Sequence, residues 1–304
     1  IYTLSLHDAL PIYVTCYGSH RVKRWDLTTD LGYVVAGDGG NDVVGDNVAP
    51  NTGGVGNAYG LAVTADGVYI GTWTGDRIRF VNTTGGPKVF WSGNPDQVTV
   101  NAGMIATIAG NGATGAPGVS ANPLSIPLAN PVGIVVRNTN EIYTLLQGQH
   151  SIVLLNNTGA PITIDGRTIA SMTSGRLNVG TNGYNGSSTR ITLSRMSSPY
   201  DMTLDVTDPN NLIVSDYTNA RLREINLTTE SINDLAGSGN RKSGTIGATT
   251  APTLSHYFNN PGGVTYDSTS DSIFFVDMNN YQIRQINSYG IVSTPVGLGP
   301  AGDP

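Results

Sequence analysis

Histidine is the side chain that most often carries acid–base chemistry or binds a metal ion near neutral pH. The chain has four histidines, and two of them, His20 and His150, stand at one position just before similar runs of alternating apolar and polar residues. His256 has no second histidine or cysteine at metal-ligand spacing. The sequence contains neither His-Glu-x-x-His nor Gly-x-Ser-x-Gly. We therefore expect His20 and His150 to close turns, and we predict no catalytic residue and no metal site.

Two Gly-rich segments imitate ligand-binding loops. Residues 110–115 fit Gly-x-Gly-x-x-Gly, but a dinucleotide site needs a helix after this loop to hold the pyrophosphate. Ala116-Pro117-Gly118 follows instead, so we predict no bound cofactor. The acidic segment 37–47 offers oxygens that suit Ca²⁺ but lacks the bidentate Glu and the spacing of an EF-hand loop. We interpret both segments as connecting loops.

Four Asn-x-Ser/Thr triplets are acceptors for N-glycosylation if the protein is secreted. They begin at Asn82, Asn156, Asn185 and Asn226. Three of them, those at Asn82, Asn156 and Asn226, fall at one repeat position. Turn chemistry alone also favours Asn and Thr in such places. The sequence thus leaves two readings open, glycosylation sites on exposed turns or asparagines that shape the turns.

The elements that position these residues are repeated along the chain. Four segments open with a turn-like polar residue followed by a short apolar run, and we expect the runs to form the innermost strands of the repeats. The runs are Leu61–Val63, Ile134–Val136, Met202–Leu204 and Val264–Tyr266. A turn such as Ala65-Asp66-Gly67 then leads to a second short apolar run.

A third run alternates apolar and polar residues, as a half-buried strand does. Its core positions are Val22, Ile78, Ile152, Leu222 and Ile283, which lie 56, 74, 70 and 61 residues apart. A fourth run ends in small residues, as in Val34-Val35-Ala36-Gly37. Four antiparallel strands at this period describe one propeller blade. We therefore predict an all-β fold, a β-propeller of four-stranded antiparallel blades with five blades visible.

The repeat resembles the NHL repeat. The segments that carry the resemblance are Ile213–Leu222 (IVSDYTNARL) and Phe275–Ile283 (FVDMNNYQI), together with the Ala-Gly-x-Gly segments that begin at Ala36, Ala109 and Ala236. The likeness extends over most of residues 13–304. Two departures stand out, because the repeats are longer than usual and the motif aspartate is replaced by Thr72 and Leu146. The resemblance implies the propeller fold, whereas the departures argue against one ligand-binding role shared by all blades.

The composition of the chain limits which classes of binding partner suit it. Only 12% of residues are charged and the net charge is −6, so the surface does not suit nucleic acid. No apolar run approaches the roughly 20 residues of a spanning helix. A single cysteine, Cys16, excludes an internal disulfide.

Residues 1–12 match the translation of a common short-read sequencing adapter, and we treat them as an artefact rather than native sequence. We expect these residues to occupy the place of the first blade's innermost strand, with Leu4-Ser5-Leu6 and Ile12-Tyr13-Val14 forming a hairpin. The last residues, 296–304, resemble a loop that precedes a further blade. We therefore expect residues 13–304 to be a fragment of a longer propeller protein.

These observations favour a secreted, non-catalytic structural or interaction glycoprotein outside the cell. We expect its partners to be proteins, including copies of itself in a filament, and N-linked glycans, without nucleic acid or membrane insertion. Two alternatives remain. One is a propeller enzyme, an NHL-like lyase or hydrolase with a metal at the central channel. The other is the ectodomain of a sensor that binds a ligand or a protein. Fold alone does not decide among them.

Overall fold

The computed structural model describes residues 11–115, 117–119, 121–241 and 253–297. The chain divides into two compact units. The first contains the chain up to Thr114 together with Asn122–Val132, and the second contains Gly115–Ala121 and the chain from Gly133 onward. Each unit is built from antiparallel sheets.

The first unit holds two blades. Blade 1 is a three-stranded sheet in the order β1-β2-β3, and blade 2 is a four-stranded sheet in the order β4-β5-β6-β9. A separate hairpin, β7-β8, interrupts blade 2 between its third and fourth strands. The strands are β1 (Ile12–Cys16), β2 (Arg21–Asp26), β3 (Leu31–Ala36), β4 (Ala58–Val63), β5 (Gly67–Thr72), β6 (Arg77–Asn82), β7 (Lys88–Phe90), β8 (Val98–Val100) and β9 (Ile105–Ala109).

Three further blades follow, the first of them starting at the end of the first unit. Blade 3 has the order β10-β11-β12-β15 with an inserted hairpin β13-β14, blade 4 has β17-β18-β19-β20 with an extra edge strand β16, and blade 5 has β21-β22-β23-β24. The strands are β10 (Pro131–Arg137), β11 (Glu141–Leu146), β12 (Ser151–Asn156), β13 (Ile162–Ile164), β14 (Arg167–Ile169), β15 (Thr173–Arg176), β16 (Thr189–Arg190), β17 (Met202–Leu204), β18 (Asn211–Asp216), β19 (Arg221–Asn226), β20 (Ser231–Ala236), β21 (Pro261–Asp267), β22 (Ser272–Asp277), β23 (Gln282–Ile286) and β24 (Val292–Val296).

This architecture confirms the predicted β-propeller with five blades. The four predicted first-strand runs lie in β4, β10, β17 and β21, each at the end of its sheet. Helical structure in the described residues is confined to short 3₁₀ turns, and no helix there has the length and apolar character that a membrane crossing requires. Residues 12–14 lie in β1, which pairs with β2. The predicted partner segment Leu4–Leu6 lies outside the described residues.

The inserted hairpins explain the long repeats. Blades 2 and 3 each carry a hairpin between the third and fourth strands, and these insertions account for most of the extra length in the two longest repeats, which begin at Ile78 and Ile152. The blade itself keeps its four-strand pattern. Loop insertions of this kind cost little stability because closing a longer loop costs only slightly more entropy.

Apolar side chains between neighbouring sheets form the core, because one blade cannot bury both faces of its sheet alone. In the first unit, blades 1 and 2 share a buried cluster that includes Val22, Ala36, Val68 and Ile70. In the second unit, blades 4 and 5 share another that includes Leu222, Phe258, Val264 and Phe275. These interfaces hold the first strands and the turns after the second strands in fixed positions.

Candidate functional site

His20 and His150 each end a 3₁₀ turn that follows a second strand. Both are in the left-handed conformation, with φ of 53° and 51°, and the backbone N–H of each closes the turn on Tyr17 and Gln147. The predicted turn-closing role is therefore confirmed. His150 also joins two blades, because its Nδ1 accepts a hydrogen bond from the Ser198 N–H at 2.9 Å. Burial lowers the pKa of His150, which favours the neutral imidazole that this bond requires.

His256 lies in the connection between blades 4 and 5. Its side chain is buried, and its backbone carbonyl accepts a hydrogen bond from the Ser238 N–H at 2.8 Å. Within the described ranges no group of three or more His, Cys, Asp or Glu side chains could hold a metal ion.

The acidic segment 37–47 contacts blade 2 through Asp46. This carboxylate pairs with Arg79 at 3.0 Å and accepts the Thr107 N–H at 2.6 Å.

The motif aspartate is a buried structural group. In blade 4, Asp216 accepts hydrogen bonds from the Ser197 N–H at 2.7 Å, from Asn219 Nδ2 at 2.8 Å and from Arg223 Nη1 at 3.3 Å. Burial raises the pKa of Asp216 to about 6, while these donors oppose the shift. Arg223 is also buried and forms a second ion pair with Asp234 at 2.7 Å. The aspartate thus links the second strand, its turn, the third strand and the preceding loop.

Blade 5 repeats the arrangement. Asp277 accepts hydrogen bonds from the Asn259 N–H at 2.7 Å, from Asn280 Nδ2 at 2.9 Å and from Arg284 Nε at 3.2 Å. Burial raises the pKa of this carboxyl as well. The Asp-x-x-Asn spacing followed by an arginine is therefore a bonding pattern within the blade. It leaves no carboxylate oxygen directed to solvent, because Asp277 is fully buried.

The departures from the motif are compensated inside their own blades. Where Leu146 replaces the aspartate, Val153 stands at the arginine position, and both side chains are buried in the apolar core. Where Thr72 replaces it, Arg79 remains and pairs with Asp46 from the preceding loop. Sequence reasoning missed these buried arginines. Alternation gave no signal for them, because Arg79 and Arg223 directly follow the core positions Ile78 and Leu222, where a half-buried strand turns its side chain away from the core.

The Ala-Gly-x-Gly loops after the fourth strands are shaped by close packing. A Cβ on Gly110 would lie 2.4 Å from the Asp76 carbonyl oxygen, and a Cβ on Gly112 would lie 2.6 Å from the Arg77 guanidinium. Both glycines have positive φ, at 92° and 84°. Gly110 and Gly112 are thus required by the turn and by the neighbouring Arg77 guanidinium.

The three repeated sequons occupy the turn after the third strand, next to the first hairpin turn of the same blade. The backbone N–H groups of Thr83, Asn157 and Leu227 donate to the carbonyls of Asp66, Asn140 and Asn210 at 2.8 to 3.2 Å. These three turns therefore lie beside the first hairpin turns of their own blades.

The expected exposure of these asparagine side chains is wrong at two positions. Asn82 and Asn156 are fully buried. Asn82 Nδ2 donates to the carbonyls of Gly86 and Val100 at 2.9 and 2.8 Å, and Asn156 Nδ2 donates to three carbonyls in the same way. The physical reason is the inserted hairpin, which covers the turn and takes its anchor from the amide. Asn226 is half-buried and Asn185 is exposed. Glycosylation itself stays a prediction.

Aromatic side chains gather at the start of the first strands and directly after the second strands. In the first unit, the ring of Tyr17 lies 6.3 Å from that of Tyr59 and 5.6 Å from that of Trp73, and Tyr59 and Trp73 are 5.7 Å apart. Tyr17 is exposed and the other two rings are half-buried. The indole Nε1–H of Trp73 has no hydrogen-bond partner among the described residues.

Blade 4 carries an aromatic pair at the same two repeat positions. The rings of Tyr200 and Tyr217 stack with their centroids 5.1 Å apart and their planes inclined by 16°. Met278 of blade 5 lies beside them, because a Cβ on Gly262 would meet its Sδ at 2.5 Å and the Tyr200 ring at 3.6 Å. We call the two groups the aromatic clusters: Tyr17, Tyr59 and Trp73 in the first unit, and Tyr200, Tyr217 and Met278 in the second.

Asp201 stands beside the second aromatic cluster at a position where three other blades have glycine: Gly60, Gly133 and Gly263. Its carboxylate accepts the N–H of Val264 at 3.0 Å and that of Met202 at 2.9 Å, which ties blade 4 to blade 5. Burial raises the pKa of Asp201 to about 6, and the two N–H groups partly oppose this. Sequence alone did not indicate this residue.

The fold and the repeats define a β-propeller protein. No protein-family model matches the chain, and no curated protein matches it in sequence. Solved structures, by contrast, match this chain in fold. A Bacteroides thetaiotaomicron protein of unknown function superposes with a TM-score of 0.58 at 14% identity, over 95% of this chain and 56% of its own length.

Two other solved structures show the same fold. An auxiliary nutrient binding protein from Bacteroides ovatus has a TM-score of 0.54 at 14% identity, covering 96% of this chain and 67% of that one. A chain of a nidogen/laminin complex has a TM-score of 0.51 at 13% identity, covering 95% and 76%. At these identities the likeness establishes the fold alone.

Proposed function

We propose that this propeller is a non-catalytic binding module whose aromatic clusters hold a ligand with a flat apolar face, such as the ring of a neutral sugar. The observation that carries the proposal is the recurrence of aromatic rings at the same two repeat positions, in blades 2 and 4. Ligand sites are commonly lined by aromatic side chains with a few polar groups that fix orientation.

The chemistry of the rings suits such a ligand. Tyr and Trp present an apolar face and a polar edge, so they stack on a ring and hydrogen-bond its substituents. The ring of Tyr17 is exposed, so the first aromatic cluster presents a face that a ligand can reach. The few charges of the chain favour an uncharged ligand over a phosphate or nucleic acid.

The comparisons support this proposal by analogy. One protein of the same fold is described as an auxiliary nutrient binding protein, and another is part of a nidogen/laminin complex. The NHL resemblance of the repeats adds a propeller family to the analogy. Because fold does not imply function, the proposal depends on the aromatic clusters rather than on these neighbours.

We propose no catalytic activity, because Tyr, Trp and Met, rather than His, Asp or Glu, make up both aromatic clusters.

A second candidate function is a secreted structural glycoprotein that assembles with itself outside the cell. Exposed sheet faces favour it, and so does the exposed sequon at Asn185.

Titration of the protein with malto-, cello-, xylo- and mannohexaose, followed by tryptophan fluorescence, tests the binding proposal. We expect one of these sugars to change the emission with a Kd below 1 mM (order of magnitude, roughly −4 kcal/mol). Trp73→Ala abolishes that signal by removing the reporter, so calorimetry measures its affinity, which should fall at least about tenfold. Tyr217→Ala should do likewise.

Tyr289→Ala is the matched control, because Tyr289 is 86% exposed and lies outside both aromatic clusters. Its affinity should equal that of the unmodified protein. The proposal is wrong if none of the four sugars binds up to about 10 mM, a bound of roughly −3 kcal/mol. It is also wrong if a sugar binds and Trp73→Ala and Tyr217→Ala bind it equally well.

A further inference from the structure

Residues 151–200, which form most of blade 3 and the connection to blade 4, differ in charge from the rest of the chain. They contain four arginines, Arg167, Arg176, Arg190 and Arg195, and one acidic residue, Asp165, which gives a charge of +3. The rest of the chain contains 12 basic and 21 acidic residues, a charge of −9. Like charges gathered in one place repel one another unless a partner compensates them.

Asp165, in the turn between β13 and β14, is already balanced by Arg190 from β16. Arg190 donates from Nε to Asp165 Oδ1. The other carboxylate oxygen accepts hydrogen bonds from the Thr192 N–H at 2.8 Å and from the Thr192 hydroxyl. Burial acts to raise the pKa of Asp165, but the hydrogen bonds from Thr192 and Arg190 outweigh it and lower the pKa. The carboxylate is therefore ionised, and both of its oxygens are bonded.

Arg167 in β14 and Arg176 in β15 are two neighbouring cations that form no ion pair with the described residues. Arg167 Nη1 donates only to backbone, to the Arg176 carbonyl at 2.6 Å and the Asn178 carbonyl at 3.4 Å. The Arg176 guanidinium lies over the turn at Gly180, where a Cβ would meet its Nη1 at 2.5 Å. Burial, together with the charge of Arg176, lowers the pKa of Arg167. This part of blade 3 thus carries two uncompensated positive charges.

A cavity of about 360 Å³ opens beside Arg167, and we call it the arginine cavity. Asp165, Arg167, Thr168 and Thr192 are among the residues that line it. Its volume falls within the range of roughly 300 to 1,000 Å³ that is usual for small-molecule sites. Arg167 Nε and Nη2 make no hydrogen bond with a described residue, so one edge of the guanidinium is available to a ligand. The two parallel N–H groups of such an edge match the two oxygens of a carboxylate, sulfate or phosphate group.

We propose that the arginine cavity binds a small molecule that carries a carboxylate, sulfate or phosphate group. The anionic group pairs with Nε and Nη2 of Arg167 and is attracted by the charge of Arg176. The bound anion supplies the compensation that Asp165 cannot, because Asp165 is already paired with Arg190. This inference goes beyond the proposed binding of a neutral ligand, since the arginine cavity shares no residue with the aromatic clusters. Failure of one proposal therefore leaves the other standing.

Isothermal titration calorimetry at low salt with four sugars that differ in one substituent tests the proposal. The sugars are glucuronate, glucose 6-sulfate, glucose 6-phosphate and uncharged glucose. We expect at least one of the three anionic sugars to bind with a Kd below about 1 mM, and glucose to bind at least about tenfold more weakly. The tightest of the three identifies the anionic group. Arg167→Gln should weaken its binding at least about tenfold, because the variant loses both the charge and the paired donors.

Lys23→Gln is the matched control, because it removes one exposed positive charge from blade 1 and should leave the affinity unchanged. Trp73→Ala should also keep the affinity, which separates this site from the aromatic clusters. If circular dichroism shows that Arg167→Gln does not fold, Arg176→Gln replaces it and should weaken binding at least about threefold.

Three results overturn the proposal. The first is that none of the anionic sugars binds up to about 10 mM. The second is that glucose binds as tightly as they do. The third is that the arginine variant binds as tightly as the unmodified protein, or loses no more affinity than Lys23→Gln or Trp73→Ala.

Discussion

Arg223 Nη1 lies 3.3 Å from Asp216 Oδ2, and neither side chain exposes any of its surface. A buried ion pair gains little over a well-packed apolar pair, but removing one partner leaves an uncompensated charge in the interior. Both an ion pair and an apolar pair occur at these repeat positions: blade 3 has Leu146 and Val153 where blade 4 has Asp216 and Arg223. We expect the two positions of blade 4 to be energetically coupled.

Arg223→Met should therefore lower the free energy of unfolding by about 3 to 5 kcal/mol, because Asp216 and Asp234 lose their buried cation. In a double-mutant cycle, Asp216→Leu with Arg223→Val should be less destabilised than the sum of its single variants by about 1 kcal/mol or more. Urea unfolding measures each value. Arg24→Met is the control, because the half-exposed pair of Arg24 and Asp26 should contribute no more than about 1 kcal/mol. Additive losses in the cycle would contradict the coupling.

The sequence was sufficient to predict the strand order of a blade. Runs such as Leu61–Val63 and Val264–Tyr266 combine alternation with flanking turn residues, and local pattern decides such strands. The turn-closing histidines followed from the same repeat alignment. These features depend on residues that are close along the chain.

The candidate site depends on contacts that pattern does not encode. Asn82 is 18 residues from Val100, yet its amide donates to that carbonyl, so its burial depends on an inserted hairpin. The partner of Arg79 is Asp46, which is 33 residues away in a loop. Tyr200 and Tyr217 are separated along the chain and meet only when the first strand pairs with the second. Periodicity reports which face a residue occupies, not which distant group it meets.

Gly237→Ala should destabilise the protein by about 2 to 4 kcal/mol. Gly237 has φ of +94°, and a Cβ there would lie 2.5 Å from the Ala220 carbonyl oxygen. The added methyl group therefore forces the loop away from the third strand. Gly159→Ala is the control, because its Cβ would meet nothing within 4 Å, and it should change stability by less than about 0.5 kcal/mol. Equal effects in thermal unfolding would show that the Ala-Gly-x-Gly loop tolerates a side chain.

Asn82→Asp should cost about 3 kcal/mol, because it removes two amide N–H donors and places a carboxylate against the Gly86 and Val100 carbonyls. Asn185→Asp changes an exposed turn and should cost less than about 1 kcal/mol. In a secreting eukaryotic host, glycopeptide mapping should find a glycan at Asn185 and none at Asn82 or Asn156. A folded, glycosylated Asn82 would contradict the anchoring role.

Asp201 should make stability fall as pH rises. Its pKa is about 6 in the folded protein and 3.8 when unperturbed. Below pH 3.8 the carboxyl is protonated in both states, and its contribution to stability is fully present. As pH rises, the unfolded chain ionises first, and the contribution is lost until pH passes about 6. The whole loss is at most about 3 kcal/mol.

Asp201→Asn isolates this effect, because the amide oxygen still accepts the Val264 N–H and no longer titrates. Urea unfolding between pH 4 and 8 should show the unmodified protein losing stability relative to this variant up to about pH 6, with a constant difference above. Asp267→Asn is a control of opposite sign. Hydrogen bonds from Ser270 and Thr269 lower the pKa of Asp267, so the unmodified protein should lose stability relative to that variant as pH falls. Parallel curves for the unmodified protein and Asp201→Asn would mean that the Asp201 carboxyl is as well solvated in the folded protein as in the unfolded chain.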